Sequence, residues 1–243
     1  MSQLSPAARE FREQAKDTER FLETCEGGDP GSPEEPSIWF LGIEPGWNKE
    51  QQATENQPTS PTKALMDTYN IEAQLKFQYN QKAFKLLAAI QGRNPEDYVD
   101  FALSERPFEK GAKGYFKANL FPEPFYDVAT WEEAAGFKTK EEYRQWMREH
   151  RFKVMKHWIE KCRPRMVIGT SYSHLHDYMS ITGTLVEPQP LHFEVNGRPK
   201  RMYASTDGIV PLFVTPHLIG ESGLNSYESK KIVASVIRKT LAM

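Results

Sequence analysis

The sequence predicts an α/β fold: a three-layer α/β/α sandwich with a mainly parallel central sheet of about four strands, plus a small inserted β-hairpin. Three observations predict it. Four short apolar runs, at 37–41, 114–121, 166–168 and 209–214, have the length and the β-branched or aromatic content of strands buried on both faces. Segments with helical periodicity separate them, as parallel strands joined by crossovers require. Each run ends in a turn containing Gly or Pro, and polar residues gather at those turns.

Taken in order, residues 5–23 read as a surface helix with a thin apolar stripe of Phe11, Ala15 and Leu22. Gly27-Gly28-Asp29-Pro30-Gly31-Ser32-Pro33 reads as a linker with no helix or strand option. The chain therefore divides into an N-terminal helix and linker, 1–36, and a single domain, 37–243. After the first strand, the polar segment Asn48–Pro61 has no hydrophobic period and reads as a loop. Thr62 to Gln91 holds two helices broken near Tyr69-Asn70; Phe84, Leu87 and Ile90 face inward, and Gly92 and Pro95 end the second. Tyr69, Phe77 and Tyr79 read as packing residues. Thr139-Lys140-Glu141-Glu142 is a capping box opening one long helix to about Lys161. Ser171 fits the cap of a short helix through Leu175 and Tyr178. Leu191–Val195 and Lys200–Ala204 flank Asn196-Gly197, a strong hairpin signal, with Pro199 marking the return strand as an edge. Asn225 or Ser226 caps a final helix that turns Ile232, Val233, Val236 and Ile237 inward.

Composition narrows the classes. The 243 residues, 39% hydrophobic and 12% aromatic, are enough for a real core. No apolar run reaches the length of a membrane span. The N-terminus lacks the basic and apolar regions of a signal peptide, so a cytoplasmic location is expected. Cys25 and Cys162 lie far apart without paired spacing, against a disulfide framework, a zinc site or a four-cysteine cluster. No cofactor or metal is expected, and a monomer is the expected state. The net charge of −2 is unevenly spread: residues 1–60 carry 5 Lys/Arg against 12 Asp/Glu, residues 61–243 carry 26 against 21. An acidic N-terminal piece thus precedes a mildly basic body able to meet phosphates.

Chemistry gathers at the strand ends. The first strand runs into Gly42-Ile43-Glu44-Pro45-Gly46-Trp47, where Gly42 and Gly46 permit unusual backbone angles and Pro45 forces Glu44 out of helical geometry. One carboxylate is thereby held at the C-terminal end of a core strand, where ligands bind in open α/β sheets. Asn119 ends the second strand before Leu120, Phe121 and a proline turn; its amide can donate and accept at once, and it equally suits a turn. The last strand runs into Thr215-Pro216-His217 and onward through Ser222, Gly223, Leu224, Asn225 and Ser226.

In that order, these three features resemble the motifs of the uracil-DNA glycosylase superfamily. Gly42-Ile43-Glu44-Pro45-Gly46 resembles its first motif, Asn119 its base-recognising Asn, and Thr215-Pro216-His217 through Tyr227 its second motif and wedge loop. The chain departs from the pattern at Glu44, where Asp, Asn or Ala is usual. It departs again at Thr215, which stands in the slot of a His or Asn, with His217 two residues later. Gly46 stands where uracil-restricted members place a Tyr, which implies room for 5-substituted pyrimidines. The resemblance implies a DNA glycosylase without an iron–sulfur cluster, with DNA as partner, leaving abasic sites in repair or in defence against modified foreign DNA. It implies Glu44 and His217 as catalytic groups. Gly42, Ile43, Pro45, Gly46, Trp47, Asn119 and Phe121 would surround the flipped base. Thr215, Pro216, Ser222, Leu224 (as wedge), Asn225 and Ser226 would meet DNA. A catalytically silent DNA- or protein-binding member, and a small-ligand site, remain open alternatives. The absence of a glycine-rich phosphate loop weighs against the last.

Overall fold

The computed structural model describes residues 4–45, 69–123 and 135–243. The polar segment Asn48–Pro61, the first helix expected after Thr62, and the candidate site residues Gly46 and Trp47 lie outside the described residues. The strands are β1 (Gly27–Gly28), β2 (Ile38–Gly42), β3 (Tyr115–Asn119), β4 (Met166–Thr170), β5 (Leu191–Val195), β6 (Arg198–Ser205) and β7 (Leu212–Thr215). The helices are α1 (Pro6–Lys16), α2 (Ile71–Gln74), α3 (Gln78–Ile90), α4 (Tyr98–Glu105), α5 (Lys140–Glu149), α6 (Arg151–Cys162), α7 (Leu175–Thr182) and α8 (Tyr227–Thr240).

The fold is α/β, built on one mixed sheet of seven strands in the order β1-β3-β2-β4-β7-β6-β5. The expected sheet of about four strands was too small. The four apolar runs form its parallel centre, β3-β2-β4-β7. β1 adds antiparallel to β3, and the hairpin adds antiparallel to β7 through β6. These outer strands lack a continuous apolar signal because they need no burial on both faces; most of β6 is at least partly exposed. The hairpin turn at Asn196-Gly197 has positive φ at both residues, as its sequence predicts. Its return strand is not an edge: β5 is. Pro199 is tolerated because β6 meets β7 only through Tyr203–Ser205.

The stretch expected as a linker supplies β1. A Cβ on Gly27 would lie 2.1 Å from the Phe108 carbonyl oxygen, and one on Gly28 2.1 Å from that of Tyr115. Only glycine lets the chain approach this closely.

Alternate side chains of the central strands feed two separate cores, one on each face. Trp39, Leu41, Phe116, Ala118, Val167, Leu212 and Val214 pack with residues of α1, α5, α6 and α7. Ile38, Phe40, Tyr115, Met166, Ile168 and Phe213 pack with α3, α4 and α8. Burying each such large side chain contributes about 2 kcal/mol. The first core includes Ala15, Phe21 and Cys25, so the segment before residue 37 packs into the same body. Trp39 Nε1 donates to the Pro30 carbonyl (2.9 Å) and Trp158 Nε1 to that of Thr18 (2.9 Å).

Helix boundaries differ from expectation in three places. The long helix after Thr139 breaks at His150 (φ −116°, ψ −64°) into α5 and α6, which turns Arg151 fully into the interior. Tyr69 and Asn70 are non-helical, as the expected break requires, and Asn70 caps α2; a further break falls at 75–77. Ser171 adopts φ +88° and caps nothing; a 3-10 turn at Tyr172–His174 leads into α7. No described helix is long and apolar enough to cross a membrane.

Candidate functional site at the strand ends

Parallel register sets the site. Gly42 at the end of β2 lies opposite Asn119 at the end of β3, and Thr170 of β4 lies opposite Thr215 of β7. A Cβ on Gly42 would sit 2.2 Å from Asn119 Oδ1 and 3.4 Å from the Tyr79 hydroxyl, so glycine is what lets the amide lie over the first strand. Asn119 is 4% exposed, and its Nδ2 donates to Glu26. Its carbonyl accepts from the buried Arg151 (3.4 Å).

Glu26 does more than hold Asn119. It is ion-paired to Lys117, a cation in the middle of buried β3, whose Nζ donates to Asn80 Oδ1 (2.8 Å) and lies 5.1 Å from the Tyr79 ring centroid. Burial is the largest single influence and works against the Lys117 charge, but the Glu26 carboxylate together with Tyr69 and Tyr79 outweighs it and raises the pKa above the ordinary lysine value. The carboxylate can only accept, so it fixes which end of the Asn119 amide faces it: Nδ2 toward Glu26, Oδ1 toward Gly42. Tyr79 on α3 hydrogen-bonds Thr170 Oγ1 (2.8 Å), and its ring centroid is 5.9 Å from that of His217. Burial pushes the Tyr79 phenol up to about 12, so it stays neutral at physiological pH. Gly42, Asn119, Tyr79, Thr170 and His217 thus share one end of the sheet.

Glu44 sits two residues beyond Gly42, with both carboxylate oxygens engaged. Oε2 meets Lys140 Nζ and Oε1 meets Arg144 Nη2, each at 2.7 Å, and the Glu44 side chain is 18% exposed. Lys140 and Arg144 stand four apart on α5, hence on one face. The Thr139 hydroxyl accepting from Glu142 N (3.1 Å) caps that helix. Phe121 N donates to the Ile43 carbonyl (2.9 Å), extending the strand pairing past Asn119. The Phe121 ring is fully buried among Tyr143, Phe152 and His174, with the Arg144 guanidinium 5.4 Å from its centroid. It supports the Arg144 side and shows no face to solvent. Ile43 packs against the first core, and Pro45 is partly exposed.

The last candidate stretch is split. Thr215 is fully buried, with its hydroxyl bonded to the Gly169 (3.4 Å) and Pro216 (3.0 Å) carbonyls, so it is an internal fastener. Pro216 is buried and His217 exposed, with His217 Nδ1 accepting from Ile219 N (3.2 Å). Leu224 is fully buried in the second core. Ser222 is exposed, and its carbonyl accepts from Lys200 Nζ (3.0 Å). Asn225 is exposed and its side-chain oxygen accepts from Lys82 Nζ. Ser226 caps α8 by accepting from Ser229 N (3.1 Å).

The structure therefore places Gly42, Asn119 and His217 at one end of the sheet, with Tyr79 between Gly42 and His217, and turns Glu44 toward α5. It buries Phe121, Thr215 and Leu224. The sequence assigns Tyr79 to packing and marks none of Glu26, Lys117, Thr170, Lys140 and Arg144 as a site residue. Lys117 did leave a signal, a lone cation inside an apolar strand, and Lys140/Arg144 left an i, i+4 basic pair. Nothing local marks Glu26, whose role exists only once β1 lies on β3. Among the described residues no three His, Cys, Asp or Glu side chains gather as metal ligands. The chain matches no protein-family model, and no curated protein matches it.

Proposed function

We propose that this chain is a DNA glycosylase that hydrolyses the N-glycosidic bond of a flipped-out uracil or 5-substituted pyrimidine and leaves an abasic site. The observation that carries the reading is the gathering of Gly42, Asn119, Tyr79 and His217, with Glu44 two residues on, at the C-terminal ends of the parallel strands. Bond cleavage builds positive charge on the sugar and negative charge on the departing base, so it needs an anion near C1′ and donors near the base. Glu44 supplies the anion and orients the attacking water. Asn119, its amide set by Glu26, reads the base edge, and the exposed His217 donates to the leaving base. Lys140 and Arg144 hold Glu44 in the free protein; arriving phosphates compete for both cations and release the carboxylate where it is needed. Leu224 acts as a wedge only by leaving the core, at a cost of about 2 kcal/mol.

A second reading, a silent DNA-binding member, is favoured by one specific observation: both Glu44 oxygens are occupied by cations. The test is to incubate wild type and Glu44→Gln with DNA carrying uracil, thymine mismatches or bulky 5-substituted cytosines, and to assay for abasic sites. The glycosylase reading expects abasic sites from wild type and a loss of about a hundredfold or more in Glu44→Gln, with DNA binding retained. Equal activity in both would remove Glu44 from the chemistry. Binding with no abasic sites on any of these substrates would favour the silent member.

A further inference from the structure

Beside the strand-end site, the β5–β6 hairpin carries Arg198-Pro199-Lys200-Arg201, a run that the motifs of the sequence analysis do not use. These residues line a concavity of about 220 Å³ together with Tyr172, Pro216, Glu221 and Ser222. Pro216 links it to the strand-end site, since His217 is the next residue. Ser171 N donates to the Thr215 carbonyl (2.9 Å), which fixes Tyr172 alongside.

The three cations are placed differently. Lys200 Nζ donates to the Ser222 (3.0 Å) and Gly223 (2.8 Å) carbonyls and ties the hairpin to the 216–226 loop. Arg201 is exposed, with its guanidinium 4.7 Å from the Tyr172 ring centroid and 5.9 Å from that of Tyr203. Arg198 is exposed and close enough to lower the Lys200 pKa, after burial. Among the described residues neither Arg198 nor Arg201 forms an ion pair, and the one acid at the rim, Glu221, is exposed and pairs with neither.

Like charges pressed together without counter-ions destabilise a surface unless an anion joins them. A guanidinium braced on tyrosine rings, in a concavity too small for a duplex, suits a backbone phosphate with an unstacked base beside it. We propose that the β5–β6 hairpin is a second nucleic-acid contact, which holds single-stranded DNA flanking the nucleotide presented at the strand ends. This rests on the strand-end reading for its substrate class, and it goes beyond it by assigning Arg198, Arg201 and Tyr172 to strand binding. Pro199 stiffens the strand between the two arginines, and Lys200 keeps the hairpin in register with the loop.

The test measures fluorescence anisotropy of the full chain with a labelled single-stranded oligonucleotide of ordinary bases, across a salt series. Wild type, Arg198→Gln/Arg201→Gln and Tyr172→Leu are compared, with Glu44→Gln as a separate arm. Two lost phosphate contacts should flatten the log–log salt slope by about 1.4 for a single strand. The double variant should bind at least tenfold more weakly, and Tyr172→Leu should weaken binding while leaving the slope near wild type. Unchanged affinity and slope in the double variant, with its thermal unfolding intact, overturns the proposal. So does undiminished binding by Tyr172→Leu, which leaves only nonspecific charge attraction. Glu44→Gln should bind no more weakly than wild type, because it leaves the hairpin intact and frees Lys140 and Arg144 for phosphate. Failure of the glycosylase reading would show in the abasic-site assay and leave these binding results standing.

Discussion

At the residue scale the least expected group is Lys117, a cation in the interior of a central strand. Its pairing with Glu26 also positions Asn119, so one ion pair, with Lys117 buried and Glu26 partly exposed, serves both stability and the site. Removing one partner of such a pair strands the other charge and costs about 3–5 kcal/mol, whereas removing both costs much less. Lys117→Met is expected to lower the urea midpoint sharply, and Lys117→Met/Glu26→Gln to recover part of the loss. A double variant no more stable than Lys117→Met would mean that Glu26 carries no uncompensated charge in the single variant. Lys117 was visible in the sequence as an anomaly, but its partner was not. Glu26 precedes a Gly-Gly pair that local chemistry assigns to a linker, and only the sheet gives it a neighbour.

At the element scale, α5 connects stability to the site, because Lys140 and Arg144 both project from it onto Glu44. The helix is capped as its Thr139-x-x-Glu142 pattern predicts, with Glu142 also accepting from Lys138 N (2.7 Å). Thr139→Ala should cost about 1 kcal/mol, read as a lower urea midpoint, while Thr139→Ser should stay near wild type. An unchanged midpoint in the alanine variant would mean that Tyr143 and Met147, buried beneath the helix, hold its first turn unaided. The Thr139 and Ser226 caps, the Asn-Gly hairpin turn and the apolar strands were legible because each is set by residues close in sequence; Ser171 was not, since its φ of +88° takes it out of capping geometry. The break at His150 was not: nothing in that stretch forces it, and it follows from burying Arg151 against Thr24 (2.6 Å).

At the scale of the whole molecule, charge is distributed by tertiary contact rather than by segment. Lys230 on α8 is nearly fully buried, and its Nζ donates to the Leu224 and Ser226 (3.1 Å) carbonyls. Burial lowers its pKa to about 7, aided by Lys82 and Lys85 of α3. In the unfolded chain the same group titrates near about 10.4. Between those values the unfolded chain binds the proton more tightly, so this contribution to stability rises with pH across that window; below about 7 the penalty is complete. Raising the pH from 7 to 9 should therefore increase the stability of wild type relative to Lys230→Met, followed by urea denaturation. A constant difference between the two would contradict a depressed Lys230.

The sequence by itself determined the α/β class, the four parallel strands, the hairpin turn and the caps at Thr139 and Ser226, because apolar period and turn chemistry act over a few residues. It also marked Glu44, Asn119 and His217 as polar groups at strand ends. Tertiary structure alone decided how those groups are employed. Sheet register placed Asn119 over Gly42, and the packing of α5 gave Glu44 two cations. The addition of β1 beside β3 supplied Glu26, and closure of the second core took Leu224 inside. Such pairings join residues up to a hundred positions apart, and no local pattern records a partner at that distance. Only a folded chain brings the two charges near enough for one to set the other.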